Sequence, residues 1–258
     1  MELSIISTRI SAGKKHIMRK STRNFLSAAS FLVILSSLEM SCSKTGSAMS
    51  TTPVTYLTLI NEATYTGAAS VYLNDTLATP SSGIAAGTFS TKYGTILPGY
   101  YNVKFTTATT DSVLSAIPSS DYDTLNFYTL ILYNTAGGAT AQSAKIYDNF
   151  STLSSIDANY RFFNLSPDEP KVDLYLNNTI VSSNRLTADN VTTNLYNSFQ
   201  PTPQGSYLIT IKVAGKDSVI ATGSNVAMTN GNAYTIFLSG NIGSSSTPLQ
   251  VNVLQASY

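Results

Sequence analysis

Beyond residue 53 the chain alternates apolar and polar positions with a period of two. Tyr101, Val103 and Phe105 share one parity, with Asn102 and Lys104 between them. Tyr128, Leu130 and Leu132 repeat the pattern, as do Ile209, Ile211 and Val213 around Thr210 and Lys212, and Leu249, Val251 and Val253 around Gln250 and Asn252. That period marks strands with one face buried against a second sheet. Clusters of Gly, Pro, Asn and Asp punctuate it and predict strands at 56–61, 69–74, 86–93, 100–107, 112–117, 125–133 and 142–147. A second series is predicted near 160–165, 172–177, 191–197, 206–213, 217–222, 232–239 and 249–254. No segment of this region holds a helical period over three turns, so the expected fold class is all-β.

The two series are copies of one unit. At an offset of 103, Asn61 meets Asn164, Tyr72 meets Tyr175, Leu73 meets Leu176, Asn74 meets Asn177, Thr76 meets Thr179 and Tyr93 meets Tyr196. After a slip of three residues, within 197–204, Gly99 meets Gly205, Tyr101 meets Tyr207, Asp111 meets Asp217, Tyr128 meets Tyr234 and Gly137 meets Gly243. One slip in a Pro-containing loop over so long a span is the signature of a duplicated domain. Two tandem β-sandwich domains are therefore expected, at 54–150 and 158–258, with 151–157 as a short polar linker. A unit of about 100 residues can bury a sufficient core without disulfides.

The segment ahead of them is different. Residues 1–41 read as a targeting signal, with Met18 as a second candidate start. Arg19, Lys20 and Arg23 form a positive region, and Phe25–Leu38 an apolar run too short to span a membrane. Residues 42–53 are small and polar, a flexible tether. The formal net charge of +1 hides an asymmetry. Six of the 15 basic residues but only Glu2 and Glu39 of the 14 acids precede Cys42, so the remainder carries a net −3. No basic patch is left to neutralise phosphates, and nucleic acid is not an expected partner.

Candidate chemistry is limited by what the remainder lacks. The single His, His16, and the single Cys, Cys42, lie in the N-terminal region, and there is no Trp. Triads built on His or Cys, zinc sites and haem ligation are thus closed to the exported part. Carboxylate pairs, Asp121 with Asp123 or Asp168 with Asp173, could hydrolyse a glycosidic bond. Asp168, Glu169 and Asp173 could offer oxygen ligands to Ca²⁺. Such acids in polar turns more often cap backbone amides, here at a corner stiffened by Pro167 and Pro170, and the expectation is no catalysis, no metal and no cofactor. Sixteen tyrosines could stack on sugars, although Tyr101, Tyr128, Tyr207 and Tyr234 fall on core-facing parity.

Three resemblances add to this reading. Leu38-Glu39-Met40-Ser41-Cys42 after an apolar run resembles a bacterial lipoprotein signal, which implies acylation of Cys42 and anchoring to outer-membrane lipid. The looser Bacteroidota form fits best, with the periplasmic face preferred over the cell surface. Phe163-Asn164-Leu165-Ser166-Pro167-Asp168, Val172-Asp173-Leu174-Tyr175, Gly205-Ser206-Tyr207 and Tyr234-Thr235 resemble the family known as domain of unknown function 4397. That resemblance covers residues 160–240 and, more weakly, the first unit. It implies an exported protein of immunoglobulin-like or transthyretin-like sandwiches, and no established activity. Asp75-Thr76-Leu77, Asp111-Ser112-Val113, Asp123-Thr124-Leu125 and Asp217-Ser218-Val219 resemble an O-glycosylation motif of Bacteroidota exported proteins, which implies glycan on Thr76, Ser112, Thr124 or Ser218. The resulting expectation is a non-catalytic envelope lipoprotein that is structural, adhesive or interaction-mediating, its partner a glycan or another envelope protein. A carbohydrate-binding accessory protein is the alternative, and a carboxylate-dependent hydrolase the remote one.

Overall fold

The repeat is built as two sandwiches with matching registers. The computed structural model describes residues 52–168, 171–192 and 196–257. The targeting signal, Cys42 and Glu169 lie outside these residues.

In the first sandwich, β1 (Thr55–Glu62) pairs in parallel with β8 (Phe127–Asn134), and β8 pairs antiparallel with β9 (Ala141–Tyr147). The other edge of β1 carries two short strands, β4 (Thr88–Phe89) and β5 (Gly94–Ile96). The opposing sheet has the order β3 (Thr76–Leu77), β2 (Ala69–Leu73), β6 (Gly99–Thr107), β7 (Val113–Tyr122). The second sandwich repeats the plan. One sheet runs β13 (Gln200–Thr202), β10 (Ala158–Asn164), β16 (Ala233–Ser239), β17 (Gln250–Gln255), and the other runs β12 (Thr179–Arg185), β11 (Val172–Leu176), β14 (Gly205–Val213), β15 (Val219–Met228). In immunoglobulin sandwiches the first two strands share a sheet. Here they lie in opposite sheets in both units.

The repeated residues do repeated work. Leu57 faces Tyr128 and Tyr160 faces Tyr234, the same register in both units. Asn74 and Asn177 turn their hairpins with φ of 47° and 56°, which Asn tolerates better than most residues. Each then docks on the neighbouring strand, Asn74 Oδ1 accepting from Asn102 N–H and Asn177 Oδ1 from Leu208 N–H, both at 2.9 Å. The Gly-x-Tyr motif folds the ring back over the glycine. Tyr101 donates its hydroxyl to the Leu97 carbonyl at 2.9 Å, and Tyr207 does so to the Pro203 carbonyl at 2.6 Å. Asn61 and Asn164 each accept from the amide two residues on, Ala63 and Ser166, and so shape the β1–β2 and β10–β11 corners.

Two features depart from the simple alternation. β8, β10 and β16 are buried almost throughout, on both faces, and β1 nearly so. Leu57, Leu59, Tyr128, Leu130 and Leu132 fill the core of the first sandwich. The opposite parity, Ile60, Ile131 and Tyr133 with Ala144 and Ile146 of β9, packs against Phe163, Leu165, Phe237 and Leu254 of the second. The two sandwiches are thus stacked sheet to sheet within one compact unit. The near-continuous apolar runs of Leu130-Ile131-Leu132-Tyr133 and Ile236-Phe237-Leu238 record this double burial.

The second departure is the predicted strand at 191–197. The chain instead forms β12 and then a helical turn, α1 (Asp189–Thr192). Asp189 accepts the Leu186 N–H at 2.8 Å, Thr187 donates to the Ser166 carbonyl at 2.8 Å, and Asn190 donates to the Asn164 carbonyl at 2.7 Å. These anchors to the β10–β11 corner outweigh the strand propensity of Val191 and Thr192. The predicted strand 86–93 shrinks to the two residues of β4, and β5 follows just beyond it.

Candidate functional site

The inter-sandwich seam gathers the chemistry-bearing groups of the chain. At one end lies a buried ion pair. Arg161 of β10 meets Asp148, just past β9, at 2.6 Å, with both side chains excluded from solvent. Arg161 also donates to Thr235 Oγ1 at 2.9 Å, Thr129 Oγ1 at 3.2 Å and the Asn197 carbonyl at 3.3 Å. Asp148 accepts the hydroxyls of Thr129 at 2.6 Å and Tyr93 at 2.7 Å. Burial and the Asp148 charge push the Tyr93 phenol well above its usual range. Beside the pair, Phe150 in a short 3₁₀ turn stands edge-on to Phe127 and Tyr93 and lies 5.8 Å from Phe199 of the second sandwich. At this end the buried charges are paired.

The other end is not satisfied. Glu62, the last residue of β1, is fully buried. Neither carboxyl oxygen has a well-formed hydrogen bond, and no cation lies within salt-bridge distance among the described residues. Burial raises its pKa from 4.5 to about 8, and the Ser239 hydroxyl offsets only part of that. Two residues further along each strand the seam opens into a cleft of about 310 Å³. Thr64 and Tyr65, from the β1–β2 corner, form one wall. Asn241, Ser244, Ser246 and Thr247, from the β16–β17 hairpin, form the other. Asp168 ties the walls together, accepting the Tyr65 hydroxyl at 3.2 Å and the Ile242 N–H at 2.9 Å. Tyr65 stands 103 residues before Asp168, so the two are twin positions of the repeat that touch.

The hairpin wall needs a glycine at its base. Gly240 has φ of +87°, and a Cβ there would lie 2.0 Å from the Pro248 carbonyl oxygen. Its loop is held by side chains, with Thr247 Oγ1 donating to Asn241 Oδ1 at 3.0 Å and meeting Ser244 Oγ at 2.9 Å. Two polar atoms beside the cleft are buried without a partner, Thr64 Oγ1 and Asn241 Nδ2.

The residues singled out in the sequence are distributed differently. Asp168 reaches this site, as a tether between sandwiches rather than as a local corner cap. Asp173 is buried in β11 and accepts the amides of Asn184 at 2.7 Å and Gly215 at 2.9 Å, so both of its oxygens hold turns. Asp168 and Asp173 thus serve separate networks, and among the described residues no three acids converge as metal ligands. Asp121 and Asp123 are exposed on either side of the buried Tyr122. Asp121 holds the Tyr100 phenol above its ordinary range, and its carbonyl accepts from Lys145. Lys145 lies 3.8 Å from the centre of the Tyr122 ring, and burial lowers its pKa against the pull of Asp121 and Asp123. Thr76, Ser112, Thr124 and Ser218 are all exposed in or beside turns. Tyr128 and Tyr234 are buried, while Tyr101 and Tyr207 are half-buried over the core. Glu62 and the hairpin escaped notice in the sequence, although a Glu two residues after Leu59-Ile60 is a readable anomaly.

No curated protein matches the chain. A family model matches it twice, in overlapping copies over residues 55–175 and 158–256. The chain belongs to the family described as Domain of unknown function (DUF4397).

Proposed function

We propose that this is a non-catalytic cell-envelope lipoprotein that works as a contact module, anchored through acylated Cys42 to outer-membrane lipid. The observation that carries the non-catalytic part is the use of the carboxylates. Asp173 holds two backbone amides, Asp148 an arginine and two hydroxyls, and Asp168 an amide and a phenol. These acids stabilise turns and the stacking of the sandwiches. What the stacked sandwiches present outward includes polar turns and a polar cleft, which suits contact with a glycan or another envelope protein. The four exposed hydroxyls of Thr76, Ser112, Thr124 and Ser218 are accessible to O-glycosylation in the native host.

Two experiments test this reading. Replacing Cys42 with Ala releases the protein from the membrane fraction; retention would refute lipid anchoring. Cross-linking in the native envelope followed by mass spectrometry identifies a reproducible neighbour; a chain that cross-links to nothing would refute the contact role.

A further inference from the structure

We propose that the cleft between the β1–β2 corner and the β16–β17 hairpin binds a neutral sugar residue of a glycan. This deepens the contact-module reading and rests on it for its biological setting.

The repeat supplies its own control. In the first sandwich the equivalent hairpin, β8–β9, closes directly on the β10–β11 corner, with the Gly137 N–H donating to the Pro167 carbonyl at 2.7 Å. In the second, Tyr234 pairs with Gln255 where Tyr128 pairs with Tyr147, so the hairpin is two residues longer. The longer hairpin lines an open cleft at the place where its twin makes contact.

The walls carry unspent hydrogen-bonding capacity. Asn241 is only 5% exposed. Its side-chain oxygen is taken by Thr247 at 3.0 Å, whereas its Nδ2 has no partner. Buried amide groups are rarely left so, and an exception calls for a partner. Thr64 Oγ1, on the opposite wall, is also buried and unpartnered. With the exposed hydroxyl of Ser246, which meets Ser244 Oγ at 3.2 Å, these groups form a small neutral set of donors and acceptors, which suits the hydroxyls of a pyranose. The Asp168 carboxylate beside the cleft disfavours an anionic ligand. The Tyr65 ring, 52% exposed, offers an apolar face to sugar C–H groups. A volume of about 310 Å³ is at the small end of ligand pockets and suits one or two sugar units.

The test is saturation-transfer NMR on the full chain with glucose, galactose, mannose, N-acetylglucosamine and their disaccharides at millimolar concentration. At least one sugar should bind saturably. Asn241→Ala should weaken it by roughly tenfold, the worth of one lost hydrogen bond. Ser246→Phe, at an exposed position, should fill the cleft and abolish the signal with an unchanged melting temperature. Absence of binding by every sugar overturns the inference and assigns the cleft to ordered water. Binding that survives both variants overturns it by placing the sugar elsewhere. A reproducible envelope cross-link alongside no sugar binding sinks this inference alone; loss of both sinks the contact-module reading as well.

Discussion

Replacing Glu62 with Gln should remove most of the pH dependence of stability between pH 5 and pH 8. Glu62 is fully buried in the seam, and burial lifts its pKa from 4.5 to about 8. The folded state therefore keeps the Glu62 proton up to about pH 8, while the unfolded chain releases it near 4.5. In that window the folded state binds more protons, so stability falls as pH rises. The contribution is fully present below about 4.5 and lost as pH climbs through about 8. At about 1.4 kcal/mol per pKa unit, the loss is roughly 3 kcal/mol at pH 7 and on the order of 5 kcal/mol above pH 8. Gln keeps the shape and cannot ionise. Urea unfolding at pH 5, 7 and 8.5 and constant ionic strength should show the stability gap between variant and wild type widening with pH in favour of the variant. A Leu there should behave similarly, since the twin position is Leu165, itself buried in the same seam. A gap that stays constant with pH, or a Glu62 carboxyl resonance titrating near 4.5, would refute the reasoning.

Four further substitutions probe other parts of the frame. Asp148→Ala leaves Arg161 buried without its counter-charge and should cost about 3–5 kcal/mol in urea unfolding; a cost under about 1 kcal/mol would mean that the pair is solvated. Tyr101→Phe and Tyr207→Phe each remove one hydroxyl-to-carbonyl bond and should each cost about 1 kcal/mol, so unequal costs would contradict their equivalence. Gly240→Ala drives a Cβ into the Pro248 carbonyl at positive φ. It should cost at least about 2 kcal/mol and speed amide exchange across 241–247, with unchanged exchange counting against the hairpin geometry.

The strand plan and the repeat were readable because both rest on local signals. Alternation located the long strands of the first unit to within a few residues, and Asn74 and Asn177 marked turns by their own backbone and side-chain chemistry. What depended on distant partners was not readable. β12 and α1 replaced a predicted strand because Thr187 and Asn190 are held by carbonyls of residues 166 and 164, partners that no window of local sequence contains. The stacking of the sandwiches was encoded more openly. Its signal is the loss of alternation in β8 and β16, where both parities are apolar, and a reading that looks only for period two passes over it. Asp168 is the intermediate case. It was recognised as a corner residue, yet its partner is Tyr65, 103 positions away, and only the packing of one unit on the other brings them together.

Where the two copies differ explains why they pack on each other. Arg161 stands at the position equivalent to Thr58, and Leu165 at that of Glu62. All four are buried, and Arg161 and Leu165 meet the first sandwich at the seam. A seam between two copies of the second face would bring its Arg161 side chains into a buried surface without Asp148, and a seam between two copies of the first would gather Asp148 without Arg161. Uncompensated buried charge costs several kcal/mol per group. Pairing of unlike faces is therefore favoured over self-pairing of either, in the way specific interfaces exclude wrong partners by unpaired charge. The same divergence left Glu62 without a cation and lengthened one hairpin, so the seam that selects the correct pairing is also the one that carries an unsatisfied, polar cleft.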